Sequence, residues 1–142
     1  MPFSQPKPLQ PPPPEAAGAT VLVVDDEAAW QTILSTDLRM LGYRVLVAGD
    51  ADEAIARATE GAEVAIIDLM LPEPIDGRAL LGMFRERGLA FPIIFYTAYP
   101  VFPQEDDDPG IAGYLSKSVD RADLYALIPP AVLRHRNRKG RR

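Results

Sequence analysis

Five short apolar runs punctuate the chain, and between them apolar residues recur every three or four positions. The runs are Thr20 to Val24, Tyr43 to Ala48, Val64 to Ile67, Pro92 to Tyr96 and Ala112 to Ser116. Val21-Leu22-Val23-Val24 and Val64-Ala65-Ile66-Ile67 lack polar alternation and are rich in β-branched residues, as expected of strands covered on both faces. After the first run, Trp30, Ile33, Leu34, Leu38 and Leu41 fall on one face of a helix that Gly42 stops. Asp50 opens a second helix, with Glu53 as its capping partner and Ala54, Ile55 and Ala58 inward, and Gly61 ends it. Asp76 caps a third, facing inward with Leu80, Leu81 and Phe84, and Gly88 closes it. Asp120 caps a last helix through Asp123 and Leu127, which Pro129-Pro130 should break or kink.

Strand and helix alternate five times with short links. Right-handed crossovers make that an α/β fold, a doubly wound parallel sheet with helices on both faces. One link resists the pattern. Pro100, Pro103 and Pro109, with the acidic run Glu105 to Asp108, oppose a regular helix between Thr97 and Gly113. An irregular fourth helix, a short turn or a loop, is expected there.

Composition narrows the class. The chain has 142 residues, 47% hydrophobic and 25% charged, enough for one domain with a full core. It lacks cysteine, and its one histidine is His135, which disfavours thiolate metal sites and histidine-based triads. With no long apolar run and no signal-peptide pattern, a cytoplasmic protein without membrane insertion is expected. The Pro-rich residues 1–19 read as a disordered leader favouring polyproline II, with docking to a proline-reading partner as the alternative. Residues 20–135 read as the domain and 136–142 as a basic, solvated tail. Arg134, Arg136, Arg138, Lys139, Arg141 and Arg142 hold 6 of the 15 basic residues, so the rest of the chain is strongly acidic. Contact of that basic run with nucleic acid, an anionic surface or an acidic partner is the exception to an otherwise non-nucleic-acid-binding composition.

The candidate chemistry lies where the strands end. The first strand releases Asp25-Asp26-Glu27, the third releases Asp68, the fourth delivers Thr97 and the fifth delivers Lys117. In an open parallel sheet, ligands bind at the carboxyl ends of the strands. Two carboxylates about 4 Å apart repel by about 4 kcal/mol at an effective dielectric near 20. A hard divalent cation relieves that, and an all-oxygen set suits Mg2+. With Lys117 and Thr97 added, the edge suits a phosphoryl group, whose oxygens the Mg2+, the ammonium and the hydroxyl would meet. Asp68, alone on the central strand, is the natural nucleophile for an acyl phosphate.

Four segments, each at the end of an expected strand and in this order, carry a resemblance. They are Val-Leu-Val-Val-Asp25-Asp26-Glu27, Asp68-Leu-Met-Leu-Pro72, Thr97-Ala98 and Tyr114-Leu-Ser-Lys117. Over about residues 20 to 135 the chain resembles the receiver domain of two-component response regulators. The resemblance implies a flavodoxin-like five-stranded sheet in the order 2-1-3-4-5. It implies that Asp68 takes phosphate from a histidine kinase or phosphotransfer protein. Asp26 and Asp68 would ligate Mg2+ directly with the Met70 backbone carbonyl, and Asp25 would act mainly through water. Thr97 and Tyr114 would be the switch pair. Met70 and Tyr99 stand where family members tune loss of their phosphate, and neither positions water well, so slow loss is expected. The family's usual proline after the lysine is Ser118 here, the Pro72–Gly77 spacing is one residue longer with an added Pro74, and the proline-rich link alters the family's usual output face.

The expected function is a stand-alone phosphorylatable switch, not a turnover enzyme, with an unidentified downstream protein target. It would act as a monomer or a phosphorylation-dependent dimer. The alternative is a receiver-like interaction module independent of phosphate, motivated by Ser118 and the irregular link. A flavin- or phosphate-binding enzyme on the same fold fits poorly, because Asp25-Asp26-Glu27 would repel a phosphate where such ligands need a Gly/Ser/Thr-rich loop.

Overall fold

In the computed structural model, which describes residues 6–98 and 108–140, the five strands form one parallel sheet in the order β2-β1-β3-β4-β5. They are β1 (Thr20–Val24), β2 (Arg44–Ala48), β3 (Val64–Ile67), β4 (Ile93–Thr97) and β5 (Ile111–Ser116). The expected order and fold class are both observed. Every residue of β1, β3 and β4 is buried, which is why those runs carry no polar alternation.

Helices α1 (Ala28–Met40), α2 (Ala51–Ala58) and α3 (Gly77–Glu86) follow the first three strands. Leu34 and Leu38 of α1 pack on one face of the sheet with Val21, Val23, Ile66, Ile94 and Tyr96. Ala54 and Ala58 of α2 and Leu80 and Phe84 of α3 cover the other face with Leu22, Leu46, Ile67 and Phe95. The expected caps are present. Asp50 accepts from the Glu53 N–H at 2.8 Å while Glu53 accepts from Gly49 N–H, and Asp76 accepts from Ala79 N–H at 2.8 Å. Each satisfies donors that a helix start leaves open.

Beyond β5 the chain forms two helices, α4 (Arg121–Ala126) and α5 (Ile128–Gly140). The break at Leu127 follows from Pro129 and Pro130, which fit the first turn of α5, where a missing N–H costs nothing. Most of the proline-rich link, including Tyr99 and the irregular fourth helix expected there, lies outside the described residues.

Two expectations are corrected. The leader is not a solvated arm from residue 6 onward. Pro14–Ala16 forms a 3-10 turn, Ala16 and Ala19 are fully buried, and Leu9 packs against the same core layer. The main-chain N–H of Lys7 donates to Asp120 at 2.7 Å, and its ammonium meets Asp123 at 2.8 Å. The basic run is no detached tail either, since α5 carries Arg134 to Lys139. Arg136 donates to Glu63 at 2.6 Å and to the Glu15 carbonyl at 2.7 Å, tying helix, strand edge and leader together.

Candidate functional site

Pairing of neighbouring strands brings their ends level. Val24 lies opposite Ile67, and Ile67 opposite Phe95. The main chain continues the pairing one step further. Asp25 N–H donates to the Ala48 carbonyl at 3.0 Å, Asp68 N–H to Val24 at 2.9 Å and Lys117 N–H to Thr97 at 2.8 Å. Asp25, Asp68, Thr97 and Lys117 therefore emerge side by side at one edge.

Lys117 closes the cluster. Its ammonium lies 2.7 Å from Asp25 Oδ2 and 2.8 Å from Asp68 Oδ2, with all three side chains 5% exposed or less. The other oxygen of each carboxylate is held by the main chain. Glu27 N–H donates to Asp25 Oδ1 and Met70 N–H to Asp68 Oδ1, both at 3.0 Å. Each carboxylate is thus fixed at both ends, by the turn that follows its own strand and by Lys117. Burial pushes the Asp25 carboxyl above its ordinary value, against the hydrogen bonds from Lys117 and Glu27. Burial also works against the Lys117 ammonium, but its bonds to Asp25 and Asp68 prevail and hold it above the ordinary lysine value.

Asp26 completes the acid set from the solvent side. Carboxylate oxygens of Asp25, Asp26 and Asp68 all lie within 4.8 Å of one another, so the cluster could hold a metal ion. Three carboxylates beside one ammonium make an oxygen-only, net-negative set, the chemistry a hard divalent cation requires. Thr97 is buried at the end of β4. Tyr114 lies half-buried with its ring 5.2 Å from Phe95 and beneath the Arg78 guanidinium at 6.0 Å. The Lys117–Ser118 bond is trans, and Ser116 and Ser118 hydroxyls pair at 2.8 Å across it. The cis bond among the described residues is Glu73–Pro74, in the lengthened loop.

Three neighbours were not legible as site residues. Gln31 Nε2 donates to the Asp25 carbonyl at 2.7 Å. Gly77 starts α3 so close to the Asp68 main chain that a side chain there would collide with it. Trp30, expected as core, turns its ring to the Lys117 ammonium at 5.1 Å. Its place one helical turn after Asp26 was the available signal.

Comparison with known proteins identifies the family. Residues 21–129 match the family model described as the response regulator receiver domain. The Mycobacterium tuberculosis protein designated "Probable transcriptional regulatory protein TcrX" is 38% identical over 118 residues, 82% of this chain and 48% of that one. The alkaline phosphatase synthesis transcriptional regulatory protein PhoP of Bacillus subtilis is 40% identical over 79 residues, 55% of this chain and 32% of that one. The chain thus spans about a third to a half of these relatives. Among solved structures, the response regulator TrrA of Thermotoga maritima, in complex with Mg2+ and BeF, superposes with a TM-score of 0.70 at 26% identity. That match covers 80% of this chain and 98% of that one. Among the described residues no helix is long and apolar enough to cross a membrane.

Proposed function

Because this chain belongs to the response regulator receiver family, we propose that Asp68 accepts a phosphoryl group and that the protein is a signalling switch of a two-component system or phosphorelay. The observation that carries this reading is the Lys117 ammonium bridging Asp25 and Asp68, with all three side chains nearly buried. An Asp68 oxygen attacks phosphorus as the bond from phosphorus to the donor's imidazole nitrogen breaks, and the electron pair of that bond leaves with the donor. Lys117 exchanges a carboxylate oxygen for a phosphoryl oxygen, which keeps its charge compensated in a buried position. Thr97 donates its hydroxyl to a second phosphoryl oxygen. Asp25, Asp26, Asp68 and the Met70 carbonyl would hold Mg2+, Asp25 mainly through water. Bound there, the metal would neutralise charge on the transferring group.

Tyr114 reads the change out. It packs on Phe95, two residues before Thr97, so a shift of Thr97 alters the space beside the ring. The donor is a histidine kinase or phosphotransfer protein, and the output is an altered protein-binding surface. Met70, half-exposed at the rim, offers no group to orient water, so the acyl phosphate is lost slowly.

Incubation of the chain with Mg2+ and acetyl phosphate, followed by intact mass, tests the reading. A single phosphoryl adduct that disappears in Asp68→Asn supports it. An unmodified wild-type mass favours the phosphate-independent interaction module instead, and a half-life of seconds for the adduct contradicts slow loss.

A further inference from the structure

Trp30 stands in an unusual place for a core tryptophan. It is only half-buried, and the atom over its ring is not carbon but the Lys117 ammonium nitrogen, 5.1 Å from the ring centre. That is within the range over which an aromatic face attracts a cation. The ring is itself fixed. Its neighbour is Tyr96, whose ring centre is 5.4 Å away and turned by 88°, edge against face. Tyr96 is fully buried on β4, directly before Thr97. Its hydroxyl has no hydrogen-bond partner among the described residues, so packing alone holds it.

We propose that Trp30 is a positioning residue for Lys117, an aromatic ledge that supports the ammonium while it changes partners. The inference rests on the phosphoacceptor reading of Asp68. Lys117 now has two anionic partners, Asp25 and Asp68. Phosphoryl transfer removes the charge of the Asp68 carboxylate, because one of its oxygens becomes bonded to phosphorus. The ammonium must then move from that carboxylate to a phosphoryl oxygen. Asp25 stays beside the ammonium through this exchange, but a carboxylate on one side draws the lysine toward itself. An aromatic face, whose attraction is neutral, broad and short of a fixed hydrogen bond, holds the ammonium in reach of both groups while the second partner changes. The ledge also limits where the lysine goes, since the ring blocks retreat toward α1.

The full chain, Trp30→Phe and Trp30→Leu are compared. Phosphorylation by acetyl phosphate in Mg2+ is followed by intact mass at several acyl phosphate concentrations. Trp30→Leu keeps apolar bulk and loses the π face, so its limiting rate falls about three- to tenfold. Trp30→Phe recovers most of that rate. A second readout needs no turnover. Trp30 is the chain's single tryptophan, so its emission in unphosphorylated protein changes when Lys117→Met removes the ammonium from the ring. Wild-type kinetics in Trp30→Leu overturn the inference. Equal slowing in both variants, with equal loss of melting temperature, also overturns it, because Trp30 would then serve packing alone. Emission indifferent to Lys117→Met does the same. A wild-type chain that takes no phosphoryl group defeats the Asp68 reading instead, and the emission comparison still judges the Trp30–Lys117 contact.

Discussion

A Cβ placed on Gly77 would lie 2.6 Å from the carbonyl oxygen of Asp68 and 2.9 Å from Leu69 Cα. Gly77 N–H also donates to the Leu69 carbonyl at 3.0 Å. The start of α3 is therefore pressed directly on the main chain that presents Asp68. Gly77→Ala must displace backbone, not a flexible side chain. The expected cost is about 1–3 kcal/mol, seen as a lower urea midpoint at unchanged slope. Phosphorylation should slow as well, because the Asp68 turn moves. A wild-type midpoint in Gly77→Ala contradicts the close packing.

The acid cluster should make the effect of Mg2+ depend on pH. Burial raises the Asp25 carboxyl in the folded chain, partly offset by Lys117 and Glu27. The folded state then holds this proton more tightly than the unfolded state. Stability contributed by Asp25 is present at low pH and is lost as pH rises from the ordinary carboxylate value through the raised one. Above that window the ionised carboxylate is a liability, and a bound cation relieves it. Mg2+ should therefore raise the melting temperature more at about pH 7.5 than at about pH 4, where ordinary aspartates are about half protonated. Asp26→Asn should shrink the shift at neutral pH. Equal shifts at both pH values speak against a carboxylate-held cation.

Much of this architecture was readable from particular residues. β1 and β3 announced themselves because burial on both faces excludes polar residues, and Asp50 and Asp76 marked helix starts by a chemistry that is local. Asp25, Asp68, Thr97 and Lys117 could be gathered because a parallel sheet puts all strand exits at one edge. Contacts made across the fold were not readable. Lys7 with Asp123, Arg136 with Glu63 and Arg121 with Asp37 each join distant segments. Nothing local to either partner specifies the other. A proline-rich stretch reads as solvated because it lacks helix and ladder donors, yet Leu9 and Ala16 supply enough apolar surface to dock it.

The Glu63–Arg136 pair should contribute stability in a defined pH range. Hydrogen bonding from Arg136 lowers the Glu63 carboxyl, with burial opposing. Its contribution is complete above the ordinary glutamate value and is lost as pH falls through the lowered one. Arg136 is about a third exposed, 36% against 23% for Glu63, so screening limits the pair to about 0.5–1 kcal/mol. Glu63→Gln should cost that much at neutral pH and little once the wild-type carboxyl is protonated. A loss of equal size at both ends of the range points to packing rather than charge.

The leader's anchorage can be tested by exchanging its charges. Lys7 touches the start of α4 twice, through its N–H on the capping Asp120 and its ammonium on Asp123 in the first turn. Bonding to Asp123 holds the Lys7 ammonium above the ordinary lysine value, and the N–H of Lys7 holds the Asp120 carboxyl below its own. Both groups are exposed, so salt should weaken the contact. The Lys7 amide reports on it directly, since its N–H is the donor to Asp120. Lys7→Glu places like charges together, and hydrogen exchange at that amide should quicken. Adding Asp123→Lys reverses the pair and should restore slow exchange, most completely at low salt. Fast exchange that persists in the double variant would mean that the apolar seating of Leu9, not the ion pair, decides where the leader lies.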